Sequence, residues 1–380
     1  MELDALPEEI AALRARLRAF VRDELLSRER AEGLLREADV PADLRREVRA
    51  RSLALGFYRL LQPTELGGGG LGPLGAVALR EEIAAANSVL GAFVLGGSGG
   101  LLRYGTPVQR ERYLLPVLRG ELAAAFAFTD AREGPRTTAT FRNGFFVLSG
   151  RKAFVSGGPH ADLLLTVATV VENAGGPTGS AVFIVSRTVP GVVLRRAFRT
   201  LDGGLHGDFA FDSVAVPPDD LLGEIGTGLP RALDNITGLR LNVAAQACGA
   251  GRWALDHALE QATRPHRSGT PLSEHEQVQA MLADSAIDLF AARAAVYAAA
   301  REAESGADAT TSAATAKILA TEAVARIVDR AMQLAGGQAV VEDHPLAVLY
   351  QRVRGWRIAE GANDVLRLTI ARTMLAQRQT

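Results

Sequence analysis

Residues 358–364 read Ile358-Ala359-Glu360-Gly361-Ala362-Asn363-Asp364, and an amphipathic segment through Arg372 follows them. An acid directly precedes a glycine, and we expect Asn363 or Asp364 to cap the helix that begins there, since short polar side chains favour that position. A carboxylate on such a turn can project into a cleft instead of lying along a helix face. Glu360 is therefore either a functional acid or an ordinary loop acid, and the rest of the chain must decide between the two.

The composition predicts a soluble globular protein without an excess of basic charge. The 380 residues are 48% hydrophobic and 22% charged, and 42 Lys and Arg balance 43 Asp and Glu to a net charge of -1. This length exceeds one ordinary core and predicts two or three domains. The charge balance excludes nucleic-acid or membrane binding that a basic surface would drive. Lys152 and Lys317 are the only lysines among the basic residues.

The cysteine, the histidines and the apolar runs argue against disulfide bonds, metal sites, secretion and membrane spans. The single Cys248 excludes an internal disulfide and a multi-cysteine metal site, and we expect it to be a buried, inert thiol. The six histidines form no pair at i, i+4, so no zinc or other metal site is expected. The N-terminus lacks the pattern of a signal peptide, and residues 88–102 form too short a run to cross a bilayer. We expect a cytoplasmic protein.

The pattern along the chain predicts an α+β fold in three parts. Residues 1–122 form an N-terminal all-α domain, in which Leu13, Leu17, Phe20 and Val21 mark an apolar helix face and residues 106–109 a capping box. Residues 123–226 form a middle antiparallel β domain of short segments at 125–129, 144–148, 153–156, 163–170, 181–185 and 208–216. Residues 227–380 form a C-terminal four-helix bundle, with a second capping box at 273–276 and a helix over 309–334 that ends at Gly336 and Gly337.

Two glycine-rich motifs resemble signatures of other enzyme classes, but neither has the flanking strand and helix that its class requires. The run at residues 67–70 is not followed by the strand, turn and helix of a dinucleotide-binding fingerprint. Residues 96–100, Gly96-Gly97-Ser98-Gly99-Gly100, match the nucleophile elbow of serine hydrolases, but that motif needs a strand before the serine and a helix after it. The stretch lies between two helical segments, which favours small-residue packing.

Motifs separated along the chain occur in an order that resembles one family. They are Leu55-Gly56 with Pro63 and Gly67-Gly68; Tyr104-Gly105-Thr106 with Gln109, Tyr113 and Gly120-Glu121; Phe128-Thr129-Asp130; residues 150–158; Val216-Pro217 to Gly223; and Gln333 with Gly336-Gly337. Together with Glu360-Gly361, they resemble the acyl-CoA dehydrogenases over nearly the whole chain. The resemblance implies a flavin-dependent enzyme that introduces an α,β-double bond into an acyl-CoA or another acyl thioester.

The resemblance also implies roles for individual residues. Glu360 would be the catalytic base, and no other candidate stands at Leu239, where some members of the family carry theirs. The substrate would contact Leu239, Arg240 and Gly361. FAD would be held by eight residues: Phe128, Thr129, Phe154, Ser156, Arg267, Gln333, Gly336 and Gly337. The family implies a homodimer or homotetramer and an electron-transfer flavoprotein as the electron acceptor.

Four positions depart from the family pattern. Pro135 replaces a serine that contacts CoA, Pro265 an arginine that binds FAD pyrophosphate, Gln351 an arginine before the base segment, and Ala362 a cofactor-contacting threonine. Each lost hydrogen bond costs on the order of 1 kcal/mol. Two alternatives therefore stay open: a non-catalytic subunit of a hetero-oligomer, and another flavin oxidation or hydroxylation on the same fold.

Overall fold

A computed structural model describes residues 6–172, 175–267, 269–376 and 378, and it has the mixed α and β composition that the sequence predicts. The N-terminal part is helical. Two π-helical turns, Val21–Leu25 and Arg110–Leu114, join consecutive helices there. The helices are α1 (Glu8–Phe20), α2 (Leu26–Glu32), α3 (Ala42–Ala54), α4 (Pro73–Ala85), α5 (Pro107–Gln109) and α6 (Leu115–Arg119).

Local signals in the N-terminal part are confirmed. Leu17, Phe20 and Val21 of the predicted apolar face are buried. The capping box forms in both directions: Gln109 N–H donates to Thr106 Oγ1 at 3.2 Å, and Thr106 N–H donates to Gln109 Oε1 at 3.0 Å. Residues 96–99 form a loop that leads into the 3₁₀ turn Gly100–Tyr104, so Ser98 does not follow a strand or open an α-helix. The hydrolase motif therefore lacks its structural context.

The middle of the chain forms one mixed sheet, and the antiparallel prediction is wrong for two of its pairings. Strand β4 runs parallel to both β1 and β2, because the chain makes the β2–β3 hairpin and then returns in the direction of β1. The order is β1-β4-β2-β3-β7-β6, with β5 paired to β4. The strands are β1 (Ala124–Ala127), β2 (Thr138–Arg142), β3 (Phe145–Ser156), β4 (Leu163–Glu172), β5 (Gly179–Ser186), β6 (Val192–Arg199) and β7 (Leu205–Val216).

The strands predicted from the sequence differ in number and in bounds from those of the structure. The predicted segments at 144–148 and 153–156 form the single strand β3, whose register against β7 shifts near Gly150. Strands β2 and β6 were not predicted. β6 pairs with β7 alone and is mostly exposed, so it lacks the alternation of buried and exposed residues that marks a half-buried strand.

Long helices make up the C-terminal part. They are α7 (Gly228–Thr263), α8 (Glu276–Glu304), α9 (Thr310–Ala335), α10 (Pro345–Trp356) and α11 (Asn363–Ala376). The helix predicted over 309–334 is confirmed and ends at Gly336, which has φ +66°. The second capping box is wrong: Ser273 lies in a 3₁₀ turn, and His275 occupies the N-cap of α8 without a capping side-chain bond.

Contacts between residues divide the chain into two compact units. The first contains Met1–Leu61, Gly68–Gly96 and Thr237–Thr380, and the second contains Gln62–Gly67 and Gly97–Ile236. In the second unit, alternate residues of β4 and β5 point to two separate cores, which explains why both strands are almost continuously apolar. Among the helices in the described ranges, none is long and apolar enough to cross a membrane.

A close approach between α7 and α4 in the first unit yields a test of the packing. A Cβ at Gly249 would lie 2.2 Å from the backbone oxygen of Glu81, whereas a Cβ at Gly238 on the same helix would meet nothing within 4 Å. We expect Gly249→Ala to destabilise folding by about 1–3 kcal/mol through overpacking. Gly238→Ala should stabilise by about 0.5–1 kcal/mol, since alanine favours helix.

Urea denaturation of both variants measures the two free energies. Equal effects would contradict the close approach of the two helices.

Candidate active site

Glu360 lies on a turn between α10 and α11 whose backbone is unusual. Glu360 has φ +55° and Gly361 has φ +101°. The turn is closed by Asn363 N–H, which donates to the Arg357 carbonyl at 3.0 Å. A left-handed conformation is strained for a glutamate, and such strain persists only where the surrounding structure imposes it. The structure therefore shows that Glu360 does not lie on an ordinary, unstrained loop.

Two cations on different helices hold consecutive carbonyls of this turn. Arg240 on α7 donates from Nε to the Glu360 carbonyl at 3.1 Å. Lys317 on α9 donates from Nζ to the Gly361 carbonyl at 2.9 Å and to Asn363 Oδ1 at 2.8 Å. Leu239 precedes Arg240 on α7 and is half-buried. The structure thus places Arg240 against the backbone of Glu360 and adds Lys317 to the side chains that hold the turn.

The predicted helix cap is wrong. Asn363 is buried, and its side chain binds Lys317 and donates from Nδ2 to Thr321 Oγ1 at 3.1 Å. Asp364 carries an exposed side chain. The first helical hydrogen bond runs from Leu366 N–H to the Ala362 carbonyl at 3.0 Å, so Ala362 takes the cap position. The tertiary bond to a buried ammonium outweighs the local preference of asparagine for capping.

Burial and charge act in opposite directions on the Glu360 carboxyl. Burial raises the pKa of Glu360, because the charged form loses solvation, while the charges of Arg240 and Lys317 partly offset that rise. Burial also lowers the pKa of Lys317 to about 8, an effect that the Glu360 charge opposes. A carboxyl with a raised pKa beside two cations has the properties of a general base.

In the second unit, Phe154 and Ser156 lie at the end of β3 in an exposed aromatic cluster. Phe154 has φ +55° and is 62% exposed, and its N–H donates to Asp208 Oδ1 at 3.1 Å. Its ring makes an edge contact with Phe198, with the ring centroids 5.2 Å apart. Ser156 Oγ lies 3.2 Å from His206 Nδ1. The ring of Phe154 is therefore a large aromatic face left open at the surface of this unit, on a strained backbone.

Sequence reasoning missed Phe198, His206 and Asp208. Phe198 lies on β6, which was not predicted, and pairs with His206 on β7. Their rings stack with centroids 5.9 Å apart. The β7 register against β3, which pairs Ser156 with His206, brings this cluster together. The alternation of apolar and polar residues along 205–211 was a weak sequence signal for His206 and Asp208.

Phe128 and Thr129 follow β1 in the same unit. Phe128 is half-buried and stacks on Phe126, with the ring centroids 5.5 Å apart, and Thr129 is exposed. The Thr129 carbonyl accepts from Ala153 N–H at 2.9 Å, and Lys152 Nζ donates to the Phe128 carbonyl at 2.8 Å. These bonds tie the segment to β3, next to Phe154 in sequence.

The other predicted cofactor residues lie near the ends of α9 and α7 and, within the described residues, are not hydrogen-bonded to the Glu360 turn. Gln333, Gly336 and Gly337 are exposed at the end of α9, and Arg267 is exposed after α7. Across the described ranges, no hydrogen bond joins any of the four to the turn. Nor do the described His, Cys, Asp and Glu side chains form a group of three or more suited to a metal ion.

The buried thiol is confirmed. Cys248 lies in the core of the first unit, where burial raises its pKa well above the ordinary value. A thiol with a raised pKa stays protonated and unreactive at neutral pH.

Three family models match consecutive parts of the chain: the acyl-CoA dehydrogenase N-terminal domain at residues 7–121, the middle domain at 127–214 and the C-terminal domain at 226–375. The chain is 31% identical to a 3-(aryl)acrylate reductase of Clostridium sporogenes over 94% of this chain and 97% of the relative. It is 29% identical to subunit CarC of the caffeyl-CoA reductase–Etf complex of Acetobacterium woodii, over 94% and 97% of the two chains. An acyl-CoA dehydrogenase from Geobacillus kaustophilus shares the fold, with a TM-score of 0.83 at 24% identity over 98% and 100% of the chains.

The matches span the sequence in the same order as the motifs that point to Glu360 and to the aromatic cluster. The chain belongs to the acyl-CoA dehydrogenase family.

Proposed function

We propose that the protein is a FAD-dependent dehydrogenase that forms an α,β-double bond in an acyl thioester and passes the electrons to a separate electron-transfer flavoprotein. One observation carries the proposal: a glutamate on a strained turn, with a pKa raised by burial, Arg240 on its own carbonyl and Lys317 on the next. A left-handed conformation is strained for a glutamate, unlike for glycine or asparagine, and such strain collects at functional sites. A glutamate held in this conformation disfavours the alternative of a non-catalytic subunit.

Glu360 would act as the general base toward the α-carbon of the acyl group. The α-proton of a thioester is weakly acidic, so the reaction needs a base with a raised pKa and donors that polarise the thioester carbonyl. The backbone N–H of Glu360 is our candidate for one such donor. Leu239, Arg240 and Gly361 are proposed to line the acyl thioester, and Arg240 would keep the turn in place through the Glu360 carbonyl.

The residues of the second unit fit a bound flavin. The exposed ring of Phe154, the hydroxyl of Ser156 and the exposed Thr129 offer an aromatic face and polar groups to an isoalloxazine ring. When bound, FAD accepts the β-hydride of the acyl group. We assign Phe128 to the same surface and Arg267, Gln333, Gly336 and Gly337 to the remainder of the cofactor. Arg267 supplies positive charge suited to a pyrophosphate.

Finer points complete the proposal. We propose a homodimer or homotetramer, a cytoplasmic location and a place in fatty acid metabolism. We keep the division into domains at residues 1–122, 123–226 and 227–380, which the three matched ranges support. Electron transfer to a flavoprotein is supported by the relative that is a subunit of an Etf complex.

Anaerobic titration of the flavin-loaded protein with a panel of acyl-CoAs tests this function. We expect bleaching of the oxidised flavin absorbance by at least one acyl-CoA, followed by reoxidation with an electron-transfer flavoprotein. A protein that binds FAD but is bleached by no acyl-CoA would favour another flavin reaction on this fold. A protein that cannot be loaded with FAD would remove both flavin hypotheses.

Phe154→Gly separates the proposed flavin contact from folding. Glycine relieves the strain at φ +55°, and its entropic cost of about 0.5–1 kcal/mol offsets that gain, so stability should stay within about 1 kcal/mol of wild type. Loss of the ring should weaken FAD binding about 2- to 10-fold, the equivalent of one aromatic contact. Fluorescence titration with FAD and thermal denaturation measure the two effects.

Asn143→Gly is the matched control, because Asn143 has φ +52° in the β2–β3 turn. It should leave FAD affinity unchanged. Equal FAD affinity in the Phe154 and Asn143 variants would contradict the assignment of Phe154.

A further inference from the structure

Two of the 42 basic side chains are lysines, and both are buried beside segments on which the proposed function depends. Lys152 binds the Phe128 carbonyl and pairs with Asp130 at 2.7 Å, so a carboxylate balances its charge directly. Lys317 is 0% exposed, and its ammonium donates to two neutral oxygens, the Gly361 carbonyl and Asn363 Oδ1. An ammonium bonded to neutral groups in the interior keeps a strong field, which acts on the nearest carboxylates.

We propose that Lys317 is a positioning residue for Glu360: it holds the turn through the Gly361 carbonyl and the Asn363 amide, and its charge stabilises the carboxylate form of the base. This inference rests on the proposed function of Glu360. It deepens that function, because it names a group that sets both the place and the charge of the base without touching the substrate.

The backbone of the turn needs such support. Glu360 and Gly361 have positive φ in succession, a conformation that a free chain adopts rarely. Arg240 and Lys317 reach the two consecutive carbonyls from α7 and α9, so the turn is held at both peptide groups. A lysine fits the second position, since its compact ammonium can bind two converging oxygens where a planar guanidinium needs more room.

The charged groups around Lys317 determine which carboxylate its positive charge stabilises. Among the described residues, Glu360, Arg240 and Glu322 are the charged groups whose fields act on the Lys317 ammonium. Glu322 is already paired with Arg367 at 2.8 Å, and Arg357 adds further positive charge to Glu322. The charge of Lys317 therefore interacts mainly with the Glu360 carboxylate. It lowers the pKa of Glu360, whereas burial raises it.

Titration of Glu360 itself tests the proposal without relying on activity. Protein labelled with ¹³C at glutamate Cδ is followed by NMR over pH, and Glu360→Gln assigns the signal. In Lys317→Met, loss of the cation should move the Glu360 titration to higher pH. The rate of flavin reduction by an acyl-CoA should fall on the order of tenfold on the acid side and recover as pH rises.

Two further variants keep the result interpretable. If Lys317→Met does not fold, Lys317→Gln retains an N–H donor without the charge and should show the same shift. Arg293→Met removes a cation that binds Glu81 in the same unit, so it controls for destabilisation and should leave the Glu360 titration in place.

Different outcomes separate this inference from the proposed function. An unchanged Glu360 titration in folded Lys317→Met or Lys317→Gln overturns the inference, and an equal shift in Arg293→Met does so too. If the Glu360 titration moves as expected while no acyl-CoA reduces the wild-type flavin, the proposed function fails and the positioning role stands.

Discussion

Glu360→Gln is expected to slow flavin reduction by acyl-CoA about 10²- to 10⁴-fold, the range that a positioned general base contributes. The amide keeps the size of the side chain and its place on the turn, but it cannot accept the α-proton. Acyl-CoA affinity should change little, because the backbone groups that face the thioester are retained. Anaerobic stopped-flow measurement of flavin bleaching, with binding followed separately, gives both quantities.

The pH dependence of the wild-type rate follows from the environment of Glu360. Burial raises the pKa of Glu360, and only the ionised form is a base, so the rate should fall as pH decreases through this raised value. The folded protein binds this proton more tightly than the unfolded chain does. The contribution of Glu360 to stability is therefore full at low pH and is lost as pH rises through the folded value. Glu360→Gln should accordingly be no less stable than wild type at pH 7.

Asp364→Asn is the matched control for the base, because the Asp364 side chain is exposed four residues away on the same segment. It removes one negative charge at a similar place in the sequence and should leave the rate unchanged. Equal rates in wild type and Glu360→Gln would assign the proton transfer to another group.

Glu81→Ala is expected to destabilise folding by about 3–5 kcal/mol, since breaking this buried ion pair removes the carboxylate that Arg293 binds. Glu81 on α4 is 0% exposed. It accepts from Arg293 Nε at 2.7 Å and from the Tyr297 hydroxyl at 2.5 Å, and Arg252 Nη1 lies 3.5 Å away. Arg293 is partly buried, so solvent replaces its lost carboxylate poorly, whereas Arg252 keeps Glu82 Oε2 at 3.3 Å. The urea midpoint measures the effect.

Glu24→Ala provides the control for this loss, since Glu24 forms an exposed pair with Arg51 at 2.8 Å. Solvent screens such a pair, and its loss should leave the urea midpoint within error of wild type. A midpoint for Glu81→Ala as high as that of Glu24→Ala would show that Glu81 does not stabilise this core.

Short-range patterns predicted the elements that depend on short-range physics. The helix of residues 310–335, the capping box at Thr106 and the burial of Leu17 all follow from spacing or from contacts within one turn. The Ser273 capping box shows the limit of this reasoning. The same residue types stand at the right spacing there, but the chain forms a 3₁₀ turn and begins its helix three residues later.

Sequence alone determined the α+β fold, the family resemblance and the identity of Glu360 as the candidate base, because these depend on residue types and their order. Only the tertiary structure decided how that glutamate is held. Arg240 and Lys317 lie 120 and 44 residues from the carbonyls they bind, and Asn363 gives up helix capping for a lysine 46 residues away. The parallel pairing of β4 and the contact between Ser156 and His206 arose in the same way. Each depends on which helices or strands become neighbours, and packing over the whole core determines that choice.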